Sequence, residues 1–194
     1  AKTKLEEARR RSLKYGDDNL LALRIDLILA KMKVERRSYK AAVREYSVVI
    51  GKLEKKDGAG DLLENAYAQL AYVYSALDDD KALDLLMAKF SKTYTGDTQY
   101  IEPLVRVHAT YPNYAEYLKR GQLEYRKGYV VLEFTVDELG RVVDPEVIDS
   151  KGGKPFETEA LKAVKKWRYR PHVIDGEAHV IPGVRARLGF EGLR

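Results

Sequence analysis

The chain has no cysteine among its 194 residues. That excludes disulfides, thiol catalysis and cysteine-ligated zinc together, but does not choose a compartment. Histidine is scarce, and His108, His172 and His179 lack partners at the spacing a metal site needs. No phosphate-binding loop occurs: Gly152-Gly153 and Gly58-Ala59-Gly60 lack both the strand-to-helix setting and the Lys-Ser/Thr ending, and Gly-x-Ser-x-Gly is absent. Carboxylates are numerous, but nothing singles out a catalytic pair. The expectation is a protein that is not an enzyme and uses no cofactor and no metal. No run approaches the roughly 18 to 20 apolar residues of a membrane helix. The start, AKTKLEEARRR, has neither the apolar stretch nor the cleavage site of a signal peptide, so any anchor or signal is expected upstream of Ala1.

An excess of one charge is also missing. The net charge is +5, with 15 Lys/Arg against 13 Asp/Glu in residues 111–194 and 20 against 17 in residues 1–110. Neither part has the concentrated basic face of a nucleic-acid domain, so no nucleic-acid partner is expected. Arg9-Arg10-Arg11, with Lys2, Lys4 and Lys14, is the single basic cluster. It reads as a solvated helix face, or alternatively as a contact to anionic lipid or the cell envelope.

What is present is a switch in periodicity. From Thr3 to about Leu123 apolar residues recur at helical steps, and from Gly128 they alternate around one helix. Thr3-Lys4-Leu5-Glu6 reads as a capping box and Gly16 as a stop, giving a first helix over 4–15. A second, from about Asn19 to Val34, is apolar on more than one face (Leu20, Leu21, Leu23, Ile25, Leu27, Ile28), which predicts a helix sandwiched between others. Tyr39, Ala42, Val43, Tyr46, Val49, Ile50 and Leu53 form one stripe on a third. Residues 55–61 are a glycine-containing loop. Leu63, Ala66, Tyr67, Leu70, Ala71, Tyr74 and Leu77 mark a fourth helix, and Asp78-Asp79-Asp80 caps a fifth that runs through Phe90.

The segments SYKAAVREY (38–46) and DDKALDLLM (79–87) suggest a degenerate repeat, with Tyr39 and Asp80 41 residues apart, where a tetratricopeptide repeat has about 34. Small Ala42 and Ala82 and aromatic Tyr67 and Tyr74 resemble that family's packing positions. The reading is a tetratricopeptide-like helical array with a concave surface for an unknown protein ligand, against an unrelated helical bundle with the same stripes.

In the C-terminal part, Val130, Leu132, Phe134 and Val136 lie on one face of a strand, with Tyr129, Val131, Glu133 and Thr135 on the other. Asp137-Glu138-Leu139-Gly140 is a turn. Arg141 to Asp149 returns as a second strand, with Pro145 expected at an edge or a bulge. Phe156, Ala160, Ala163, Val164 and Trp167 form the stripe of a helix that ends by Arg170, because Pro171 follows. Trp167 is expected in the core. The last strand places Val184, Ala186, Leu188 and Phe190 on one side and Arg185 and Arg187 on the other, and the order is β-β-α-β.

Several ordered motifs here resemble the C-terminal domain of the TonB family: Tyr111-Pro112 before a short helix, Gly128-Tyr129-Val130 opening a strand, the turn Asp137…Gly140-Arg141-Val142, and Ala-x-x-x-Val-x-x-Trp-Arg-Tyr-x-Pro ending at Pro171. The fold class is therefore α+β, with an all-α tetratricopeptide-like array over 1–110 and a TonB C-terminal-like domain over 111–194.

The resemblance implies a periplasmic protein that captures the TonB box, an extended segment of outer-membrane TonB-dependent transporters, by adding it as a strand to a sheet edge. It would thereby support energy-dependent uptake of nutrients such as iron–siderophores. Carried onto this chain, the edge is the last strand from His179 to Phe190, with His179, Val180, Ile181, Gly183, Val184, Arg185, Ala186, Arg187 and Leu188 as the peptide-binding set, joined by Tyr111 and Pro112. Arg185 and Arg187 would read acidic or polar peptide side chains, or else only keep the edge soluble. Pro112 could equally just start a helix.

Family members that transmit proton-motive energy are expected to carry a membrane anchor and a Pro-rich spacer, and neither is visible. With an upstream anchor, an inner-membrane proton-channel complex becomes a partner. Without one, the chain reads as a non-transducing periplasmic adaptor, or more remotely as an assembly factor binding cell-wall components. Exchange of edge strands would allow a homodimer.

Overall fold

The computed structural model describes residues 2–16, 19–93, 103–106 and 127–191. Its contacts divide the chain into two compact units, Ala1–Thr95 and Gly96–Arg194. The expected boundary near residue 110 lies outside the described residues.

The first unit is helical: α1 (Lys2–Ser12), one 3-10 turn (Leu13–Tyr15), α2 (Leu20–Glu35), α3 (Tyr39–Leu53), α4 (Gly60–Ala76) and α5 (Asp80–Thr93). Each helix packs on its neighbour in sequence, and α2 also touches α4. Capping sets the starts. The Asn19 carboxamide oxygen accepts from the Ala22 amide at 2.8 Å, while its NH2 donates to the Ser12 carbonyl at 2.8 Å, so one side chain opens α2 and ties down the end of α1. Asp79 does the same for α5, accepting from the Ala82 amide at 3.1 Å. The capping box at Thr3 is not formed, because α1 already begins at Lys2 and places Thr3 inside its first turn. Gly16 ends the 3-10 turn with φ 95°, a conformation glycine adopts without strain.

The α3 stripe is buried from Ala42 through Tyr46, Val49 and Ile50 to Leu53 and meets Ala66, Tyr67, Leu70 and Ala71 of α4 in one core. Tyr67 stacks on Phe90 of α5 at 4.8 Å between ring centroids, and its hydroxyl donates to Glu54. Lys89 also donates to Glu54, at 2.9 Å. Burial pushes the Glu54 carboxyl pKa up, but these two hydrogen bonds and the charges of Lys89 and Lys55 outweigh it and hold the pKa below its ordinary value. Helix α2 does contact α1, α3 and α4. Even so, Leu20, Leu21 and Ile28 remain exposed, so its apolar surface exceeds what its neighbours cover.

The second unit contains β1 (Pro103–Val105), β2 (Lys127–Val136), β3 (Val142–Lys151), α6 (Lys154–Val164), β4 (Arg168–Tyr169), β5 (His172–Ile174), β6 (Glu177–His179) and β7 (Ile181–Glu191). A three-stranded antiparallel sheet runs in the order β3-β2-β7, and β1-β4 and β5-β6 form two small pairs. The expected β-β-α-β order stands, with these short strands added. Helix α6 packs on β2 and β3. It buries Phe156, Ala160, Ala163 and Val164, together with Trp167, against Val130, Leu132, Phe134, Val136, Leu188 and Phe190 of the sheet. Trp167 is 2% exposed, as expected for a core residue, and the Arg106 guanidinium lies 4.9 Å from its ring centroid.

Candidate peptide-binding edge

The central strand β2 is covered on both sides, so β3 and β7 are the edges of the sheet, and among the described residues neither pairs with a further strand. The two edges are built differently. Along β7 the pairing is continuous from Glu191 opposite Lys127 to Val184 opposite Phe134, then slips so that Ile181 faces Val136. The slip falls at Pro182-Gly183, where Gly183 takes φ 70°. Along β3 the register slips twice, between Asp149 and Val147 and between Glu146 and Val143. The second slip contains Pro145, as the sequence predicts, and Asp144 with φ 49°.

A bulge twists an edge and interrupts its row of free amides and carbonyls, and proline removes a donor outright. Strand β3 is thus broken into short pieces. Strand β7 keeps one regular run, Val184 to Glu191, available to an added strand.

The outer face beside that run carries a polar ladder. The Arg185 Nε donates to Glu133 Oε2 at 2.6 Å across the β7-β2 pair. The Arg187 guanidinium lies 4.3 Å from the Tyr129 ring centroid, and the Tyr129 hydroxyl donates to Asp149 Oδ2 of β3 at 3.0 Å. That hydrogen bond to a carboxylate raises the Tyr129 pKa above 10.0. Both arginines therefore have cross-strand partners, and Arg185 is still 69% exposed at its side chain.

Of the residues predicted for the edge, Ile181, Gly183, Val184, Arg185, Ala186, Arg187 and Leu188 lie on β7. His179 and Val180 do not. His179 ends β6 and pairs with His172 in a separate hairpin, and Val180 is an exposed link between β6 and β7. The correction has a readable cause: Ile174-Asp175-Gly176-Glu177 holds an Asp-Gly pair with φ 52° and 82°, the signature of a two-residue hairpin. Leu188 is buried, while Ile181, Val184 and Ala186 pack partly against the core, so what these positions offer a peptide is backbone. Tyr111 and Pro112 fall outside the described residues.

The motif residues serve a different purpose. Asp137 Oδ1 accepts from the Leu139 amide at 3.0 Å and from the Arg141 amide at 2.8 Å, closing the β2-β3 turn. Gly140 sits at its tip with φ 73°, and a Cβ there would lie 2.1 Å from the Tyr169 carbonyl oxygen. The Tyr169 amide donates back to the Gly140 carbonyl at 2.7 Å. The Tyr169 ring, buried beside Trp167, has its hydroxyl pushed up to about 12 by that burial. A Cβ on Gly128 would meet the Lys151 carbonyl oxygen at 2.1 Å. These residues frame the sheet at the β2-β3 turn and at the Gly128–Lys151 approach.

Residues 107–187 match the family model described as the Gram-negative bacterial TonB protein C-terminal. A Protein TonB of Vibrio cholerae serotype O1 (strain ATCC 39315 / El Tor Inaba N16961) is 32% identical over 71 residues, covering 37% of this chain and 27% of that protein. The chain thus spans about a quarter of the length of this curated relative. Among solved structures, the tonb2 protein from Vibrio anguillarum is 40% identical, covering 52% of this chain and 90% of that one with a TM-score of 0.35. The TonB CTD of Pseudomonas aeruginosa is 26% identical, covering 49% and 89% with a TM-score of 0.30. Residues 107–187 are accordingly a domain of the TonB C-terminal family.

Proposed function

We propose that the chain acts in the periplasm and binds the TonB box of outer-membrane TonB-dependent transporters by β-strand addition along β7, supporting energy-dependent nutrient uptake such as that of iron–siderophores. The observation that carries this reading is the unbroken run from Val184 to Glu191, which pairs with no further strand among the described residues, beside an opposite edge interrupted twice. Main-chain hydrogen bonds along the run supply affinity, and Arg185 and Arg187 select polar or acidic side chains. The test is fluorescence anisotropy of the full chain with a TonB-box peptide and with the same peptide carrying proline at alternate positions. Strand addition requires the proline peptide to lose binding by at least about tenfold. Equal binding of the two peptides would contradict it.

A second reading is a periplasmic adaptor that does not transmit energy and whose helical array holds a second protein. It is favoured by the surplus apolar surface of α2 and by the groove described next.

A further inference from the structure

Between α1, α2 and α3 lies a cavity of about 410 Å³ whose lining combines four apolar residues with seven charged ones. Its apolar floor comes from Leu29 and Met32 of α2 and from Val48 and Val49 of α3. Val48 is 59% exposed, although it lies on a helix whose opposite face is core. Every acid in the lining already has a cation. Glu6 pairs with Lys2 at 3.5 Å, Asp26 accepts from Arg9 at 2.7 Å, and Glu45 is bonded by Lys33. Arg36 and Arg44 remain, both exposed, and neither has an acidic partner among the described residues. The lining therefore combines apolar contact area with two guanidinium groups that have no acidic partner among the described residues, while its carboxylates are paired, Asp26 by Arg9 from outside the lining.

We propose that this groove docks an acidic, apolar segment of a partner protein, with leucine-like side chains on Leu29, Met32 and Val48 above the buried Val49 and carboxylates on Arg36 and Arg44. Charge complementarity identifies the occupant. A basic segment would face two unpaired cations, and a purely apolar one would leave them unmatched. Guanidinium groups take carboxylates in bidentate geometry, and the unbranched thioether of Met32 adapts to different apolar partners. The inference concerns the first unit alone and does not depend on peptide capture at β7.

The test uses the full chain with methyl-labelled Leu, Met and Val and a short synthetic peptide alternating leucine and glutamate, beside its leucine–glutamine counterpart. The glutamate peptide is expected to shift the methyl signals of Leu29, Met32, Val48 and Val49 saturably and to bind about tenfold more tightly than the glutamine peptide at low salt. The double variant R36Q/R44Q, which touches only exposed side chains, is expected to erase that difference with an unchanged far-ultraviolet circular dichroism spectrum. Val48→Asp is expected to weaken both peptides. Equal binding of the two peptides, shifts confined to other methyls, or a double variant that keeps the preference would overturn the proposal. So would methyl shifts caused by phosphatidylglycerol vesicles but not by peptide.

Discussion

The two units solve the same problem with different sequence resources. The helical unit packs each element on its neighbour through repeated stripes of Ala, Leu, Val and Tyr, so its stability is spread over many interchangeable contacts. The strand unit joins residues far apart in the chain, and it does so at a few points where backbones nearly touch: Gly140 at Tyr169, Gly128 at Lys151. The lesson is that substitutions of similar chemistry should be tolerated in the first unit and not in the second. The motifs that make the second recognisable mark these intolerant points.

The sharpest way to break that comparison is to delete the largest core side chain of the strand unit. Trp167→Ala should cost about 3–5 kcal/mol and collapse the dispersion of β2 and β7 amide signals in NMR spectra, while the helical signals persist. Next come two glycines that share a positive φ but not a neighbourhood. Gly140→Ala meets the Tyr169 carbonyl and should lose about 2–4 kcal/mol in urea unfolding followed by Trp167 fluorescence. Gly58→Ala has φ 72° but open space around it, and should lose only about 1 kcal/mol, read by helical circular dichroism. Similar losses for the two glycines would refute the distinction.

Smaller still, Asn19→Ala removes a cap and a tie to Ser12 and should cost about 1–2 kcal/mol. The smallest effect is on pH dependence. Because the Glu54 pKa is lowered on folding, its contribution is present above its unfolded value, near 4.5, and fades as pH falls through the folded one. Glu54→Gln should therefore flatten the acid limb of the helical unit's stability curve and leave the shape of that curve above pH 6 unchanged.

Much of this was readable in advance, because periodicity reports burial. The α3 stripe and the alternation of β2 and β7 each named their buried face, and Pro145 announced a bulge at an edge. What escaped detection had no period or was misweighted. Strand β1 is three residues long and begins with proline, so nothing local distinguishes it from a loop; its order depends on pairing with β4, more than sixty residues on. The β5-β6 hairpin has its Asp175-Gly176 signal, but apolar and polar residues run on without a break into β7, so His179 and Val180 read as part of one long strand. At Thr3 the helix starts two residues earlier than the capping box predicts, since capping preferences of about 1 kcal/mol yield easily to such an extension. The candidate edge was only half visible. Alternation located β7 and Pro145 marked one interruption of β3, but the other, between Asp149 and Val147, is a property of register and appears only in the folded sheet. Together the two interruptions leave β7 as the better edge.

That preference is the central claim, and a two-dimensional amide NMR titration of the full chain with a TonB-box peptide tests it most directly. The account predicts saturable shifts along Val184 to Phe190 with little change along Glu146 to Lys151. Shifts concentrated on the β3 edge, or none at millimolar peptide, would contradict it.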